Sequence, residues 1–115
     1  MRNTPILAFA ALLFATGCHS AFIDATLRNT TNHPITLVEL DYPSASFGTQ
    51  TLAPNQDFHY RFKVLGDGNL KLLYTNPGNQ DQKAPGPHLN EGDEGTLLVT
   101  VTPTGVQWTP NLHHR

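Results

Sequence analysis

Phe58-His59-Tyr60-Arg61-Phe62-Lys63-Val64 is the stretch that decides the fold. Side chains of an extended chain alternate between two faces, so Phe58, Tyr60, Phe62 and Val64 share one side and His59, Arg61 and Lys63 the other. That pattern predicts a strand with one buried and one wet face. The same period returns along the chain. Thr96–Thr102 turns Leu97, Val99 and Val101 inward; Ile23, Ala25 and Leu27 form a third set; Val38, Leu40 and Tyr42 a fourth; Leu70, Leu72 and Tyr74 a fifth. Phe47–Leu52 is a weaker version and reads as an edge strand. No segment after Phe22 carries a helical stripe.

The punctuation agrees. Asn29–Pro34, Tyr42-Pro43-Ser44, Ala53-Pro54-Asn55 and Gly66-Asp67-Gly68-Asn69 separate the strands with turn-forming residues. Pro103-Thr104-Gly105 joins the last strong strand to Val106-Gln107-Trp108 in an expected terminal hairpin. Asn76–Gly95 stays open between a short strand near Gln82–Ala84 and a long loop. The fold expected is all-β: an antiparallel β-sandwich of about seven strands over residues 22–109, followed by a flexible tail at 110–115. The Asn29-Thr30-Thr31-Asn32-His33-Pro34-Ile35 opening resembles the first hairpin of small bacterial immunoglobulin-like or fibronectin-like domains, a likeness of architecture that fixes no function.

Composition narrows the function classes. The chain has 115 residues, 14% charged, with seven Lys and Arg against nine Asp and Glu, a net charge of −2. That leaves no basic surplus for nucleic acid. One cysteine excludes an internal disulfide framework and multi-cysteine metal centres.

The amino terminus is built as an address. Arg2 precedes an uncharged apolar run, Ile6–Ala15, and then Thr16, Gly17 and Cys18. A cationic start, a short apolar segment and small residues before a cut site make a secretory signal peptide. The run is too short to span a bilayer. Ala15-Thr16-Gly17-Cys18 resembles the lipobox of bacterial lipoproteins, with Ala15 in place of the more usual Leu. The resemblance implies removal of residues 1–17, cleavage between Gly17 and Cys18, and diacylglyceryl transfer to the Cys18 sulfur, with 18–21 as tether. Ordinary secretion with a free thiol, or an uncleaved anchor, are the competing readings. His19 stands where inner-membrane lipoproteins of enterobacteria carry Asp, so the outer membrane is the expected address. At roughly 3.5 Å per residue, the tether reaches about 10 Å. Strand alternation then puts Asn29–Pro34, Leu52–Gln56 and Tyr74–Gly78 away from the lipid, and Tyr42–Phe47 and Leu65–Asn69 toward it.

Chemistry-bearing motifs are sparse. There is no Gly-x-Ser-x-Gly elbow, and Ser20, Ser44 and Ser46 are the only serines. No enzyme activity and no cofactor are expected. Glu39 and Asp41 share the outer face of one strand, and Asn90–Gly95 holds three carboxylates without calcium-loop spacing. Of six histidines, His113 and His114 are weak candidates for copper or nickel, the basis of an alternative metal-binding role. Asn29-Thr30-Thr31 matches a glycosylation sequon, which a bacterial lipoprotein would not use. The expected function is a lipid-anchored module that meets another envelope protein through an edge strand or through the distal residues Asn29, Asn32, His33, Pro54 and Asn55.

Overall fold

The computed structural model describes residues 21–114. The leader, Cys18 and most of the tether lie outside them. Eight strands follow one another: β1 Ile23–Asn29, β2 Ile35–Tyr42, β3 Ala45–Leu52, β4 Asp57–Phe62, β5 Gly68–Thr75, β6 Asp81–Leu89, β7 Asp93–Thr102 and β8 Gly105–His114. They form two four-stranded sheets, ordered β4-β1-β7-β8 and β3-β2-β5-β6. The protein is a β-sandwich.

Every neighbouring pair is antiparallel except β1 and β7, which run parallel from Ile23↔Gly95 to Asn29↔Val101. Strands β1 to β6 reproduce the neighbour relations of the immunoglobulin strands B, C, C′, E, F and G. The C-terminal β7–β8 hairpin then docks on the free side of β1. Because β6 returns to the end where β1 begins, β7 must start there and run alongside β1, which is why this pair is parallel.

The alternation read from the sequence is the alternation that packs. Ile23, Ala25 and Leu27, Val38 and Leu40, Leu70, Leu72 and Tyr74, and Leu97, Val99 and Val101 are all buried. Each fully buried aliphatic side chain contributes about 1.5–3 kcal/mol. The two open sides of the sandwich are closed differently. Along β3 and β4, Phe47 stacks on Tyr60 with centroids 4.3 Å apart, and Tyr42 meets Phe62 at 4.3 Å. Tyr60 is still 44% exposed, because β4 is an edge strand and its ring covers the seam rather than entering the core. Along β6 and β8, Trp108 lies so close to Gly86 that an added Cβ would sit 2.7 Å from the indole.

Two expectations are corrected, and one irregularity is new. Residues 81–89 form a full strand, not a loop or a three-residue strand; β6 is an edge that needs only one ladder, so Pro85 and Pro87 are tolerated. Residues 110–114 are not a tail: β8 runs to His114, paired through to Asp93. In β2, Leu37 has φ of 49° and is 61% exposed, while the β2–β5 register shifts between Thr36 and Glu39. This bulge lets Ile35 and Val38, three residues apart, both face inward.

Candidate functional site

The loops sort to two ends. At the proximal end, where β1 begins, the Val64 carbonyl accepts from Gly92 N–H at 3.3 Å, and Glu91 N–H donates to Asp67 at 2.7 Å. At the distal end lie the connections 30–34, 53–56, 76–80 and 103–104. The junctions expected to share one end do share it.

Asn29 organises the distal end. Its amide nitrogen donates to the His33 and Leu52 carbonyls, each at 2.9 Å. Its carbonyl oxygen accepts from the Thr31 backbone N–H at 2.9 Å and the Thr31 hydroxyl at 2.6 Å. Two donors and two lone pairs are thereby filled. The His33 carbonyl lies 2.7 Å from the same Thr31 hydroxyl, so the two acceptors share its single proton. Asn29 is fully buried, so it cannot touch a partner: the expected binding residue is a structural knot. The sequon-like Asn-x-Thr is an Asx turn.

The other expected residues divide into two groups. Asn32 and His33 are exposed and line a cavity of about 390 Å3 between the sheets, in the distal mouth near the β6 and β8 edges. Pro54 and Asn55 are not part of it. They form the β3–β4 turn, where Asn55 takes φ of 60° and its N–H donates to the Asn29 carbonyl at 2.7 Å. The mouth also contains Tyr74, Gln82 and Thr104, which the sequence marks only as strand and turn residues. Burial holds the Tyr74 phenol above its ordinary pKa. The rim is preorganised: Asn76 Oδ1 accepts from Gln80 N–H at 2.9 Å, and the Thr102 hydroxyl donates to the Gly105 carbonyl at 2.9 Å.

No protein-family model matches the chain, and the search of curated proteins returns no match.

The histidines are dispersed. His113 Nε2 lies 3.5 Å from Glu94 and His114 Nδ1 lies 3.3 Å from Asp93, cross-strand pairs on successive residues that face opposite sides of the sheet. His59 meets the Thr26 hydroxyl at 3.0 Å and His88 meets Asn69 at 2.8 Å. Among the described residues, no three His, Cys, Asp or Glu side chains come together as a metal site would need. Of the carboxylates, Asp93 is buried and caps its own turn, accepting from Asn90 N–H at 2.9 Å. On the outer face of β2, a hydrogen bond with Asp41 and the repulsion of its charge hold the Glu39 carboxyl above its usual range. Lys71 stands 3.7 Å from Asp41. The Arg28 guanidinium grips Asp57 at 2.8 and 2.9 Å and holds that carboxyl below its ordinary value.

Four strands end the sheets, and they differ in what they offer. Strand β6 carries Pro85 and Pro87, and β8 carries Pro110. Strand β4 carries Asp57, His59 and Arg61. Strand β3 has no proline and no charge, and the uncharged run extends from Tyr42 to Gln56, through the distal turn. Proline and inward or edge charges are the devices that block strand addition. β3 has neither.

Proposed function

We propose that this chain is a lipid-anchored interaction module of the bacterial cell envelope, held by acyl chains on Cys18, that binds another envelope protein along the β3 edge and the adjoining turn 53–56. The observation that carries the reading is the uncharged, proline-free β3 edge running without interruption into Pro54 and Asn55. Such an edge presents unpaired backbone donors and acceptors to an extended segment of a partner. Two or three acyl chains anchor firmly, at about 0.8 kcal/mol per buried CH2. The anchor also selects the partner. Antiparallel pairing of two β3 strands would turn one copy upside down relative to the other. A tether of about 10 Å does not permit that within one leaflet, so an antiparallel pair of two copies is ruled out and the added strand is assigned to a different protein. The outer membrane is the leaflet system the residue after Cys18 favours.

The test places a photoreactive residue at Gln50 on β3 or at Lys83 on β6, in the full chain in intact membranes. One adduct mass is expected from Gln50, absent from Lys83 and lost when Thr49→Lys puts a charge on the edge. Adducts that form equally from both positions, or that survive Thr49→Lys, would contradict the reading.

A further inference from the structure

We propose that the distal mouth between the sheets is a binding site for a short neutral glycan, a chain of uncharged sugars bearing hydroxyl and amide groups. The site is separate from the β3 edge, on the other side of the sandwich, and the proposal does not depend on the protein partner. Three observations carry it.

The first is Tyr74. The residue is 8% exposed, its ring belongs to the core, and its hydroxyl has no hydrogen-bond partner among the described residues. The oxygen is nevertheless not among the solvent-inaccessible unpaired atoms, so what little surface the residue keeps includes it. Tyr74 lines the mouth. A buried tyrosine normally places its hydroxyl on a partner; this hydroxyl has none among the described residues, and its residue lines the mouth.

The second is the lining. None of the residues around the cavity is Asp, Glu, Lys or Arg. A charged ligand would lose hydration there and find no permanent counter-charge, His33 being the one imidazole in the lining. What the cavity offers instead are groups that donate and accept together. Gln82 pairs across from Tyr74 in the β5–β6 register, on the same inward face. Asn32 stands at the opposite rim, and neither side-chain amide is bonded within the described residues. A sugar hydroxyl also donates and accepts, and an N-acetyl group does both through its amide. The rings of Pro77 and Pro103 supply C–H surface for the apolar face of a pyranose.

The third is shape. A cavity of about 390 Å3 is in the range of small-ligand sites, roughly 300–1,000 Å3. Its polar groups are side-chain amides and hydroxyls converging from several loops, not a free strand edge. That suits a ligand whose hydrogen-bonding groups radiate from rings better than an extended peptide. The turns 76–80 and 102–105 are held by their own hydrogen bonds, so little ordering is left to oppose binding.

The experiment titrates the full chain in detergent micelles with chitotetraose and with maltotetraose, following backbone amide shifts by NMR and affinity by calorimetry. At least one neutral tetrasaccharide is expected to shift residues 31–33, 76–78, 82 and 102–105 together. Tyr74→Phe is expected to weaken binding about five- to tenfold, the worth of one hydrogen bond. It leaves the unfolding midpoint unchanged, because the hydroxyl has no protein partner to lose. Gln82→Ala, at a half-buried edge position, is expected to weaken binding without unfolding the domain. The fully deacetylated, cationic tetramer of the first probe is expected to bind at least tenfold more weakly. The proposal is overturned by silence of the mouth residues toward both neutral probes or by equal affinity of the Tyr74→Phe variant. Stronger binding of the cationic tetramer or of an uncharged Gly-Ser-Asn-Gly peptide would overturn it as well.

Discussion

Replacing Asn29 tests the distal architecture most sharply. Asn29→Ala removes four hydrogen bonds at a fully buried position. Not all four partners are stranded. The His33 carbonyl and the Thr31 hydroxyl still have each other at 2.7 Å. The Thr31 backbone N–H loses its acceptor, and the Leu52 carbonyl loses the amide that ties β3 to the first distal loop. Each buried group left unsatisfied costs about 1–3 kcal/mol, so the expected loss is about 2–4 kcal/mol. Against a total stability of about 5–15 kcal/mol, that is a large fraction. Asn29→Asp is nearly isosteric but should be worse at pH 7, because a carboxylate oxygen would face two carbonyl oxygens in the place of two N–H donors. The environment raises the pKa of the introduced carboxyl above its unfolded value of about 3.9. The deficit is therefore smallest at low pH, where the protonated form can donate one bond, and grows as pH rises through the folded-state pKa. Urea denaturation at several pH values measures both effects, with an unchanged m-value showing that the native fold is the one being lost. A loss below about 1 kcal/mol for Asn29→Ala, or a pH-independent Asn29→Asp, would refute the reasoning.

Three other perturbations follow from the same structure. Gly86→Ala pushes a methyl toward the Trp108 indole at 2.7 Å and should cost about 1–3 kcal/mol, with a red shift of tryptophan fluorescence as the ring is displaced. Asp57, held by Arg28, has a folded pKa below its unfolded value, so the stability it contributes is present above that unfolded value and is lost as pH falls through the folded one. Acid titration of Asp57→Asn should lack this component. Leu37→Gly relieves a non-glycine residue at positive φ and removes an exposed leucine; it should raise the thermal midpoint, by up to about 1 kcal/mol in stability, and a fall would contradict the strained bulge.

Much of the fold was legible because one side of each sheet is buried and the other wet, and period two records that directly. The sets at Ile23, Val38, Leu70 and Leu97 needed no tertiary knowledge. What escaped was structure that tertiary pairing alone sustains. Pro85-Gly86-Pro87 reads as a loop because proline cannot sit inside a sheet, yet β6 has a neighbour on one side only and Gly86 makes room for Trp108. Residues 110–114 are polar and end in two histidines, and only the β7 ladder makes them a strand. The bulge at Leu37 did leave a trace, since Ile35 and Val38 cannot share a face in an unbroken strand. Of the distal residues, loop placement was readable from strand counting. Burial was not: Asn29, Asn32 and His33 look alike as turn residues, and only the hydrogen bonds to Thr31 and Leu52 separate the knot from the rim. Tyr74 and Gln82 belong to different strands and meet only across the β5–β6 register.

How the domain is held decides the proposed function, and the intact mass of the polypeptide isolated from its native membrane tests it directly. A chain beginning at Cys18 and heavier than the bare sequence by a diacylglyceryl group, with or without an added amide-linked acyl chain, is the predicted result. A free thiol at that position, or a chain still carrying residues 1–17, would contradict it.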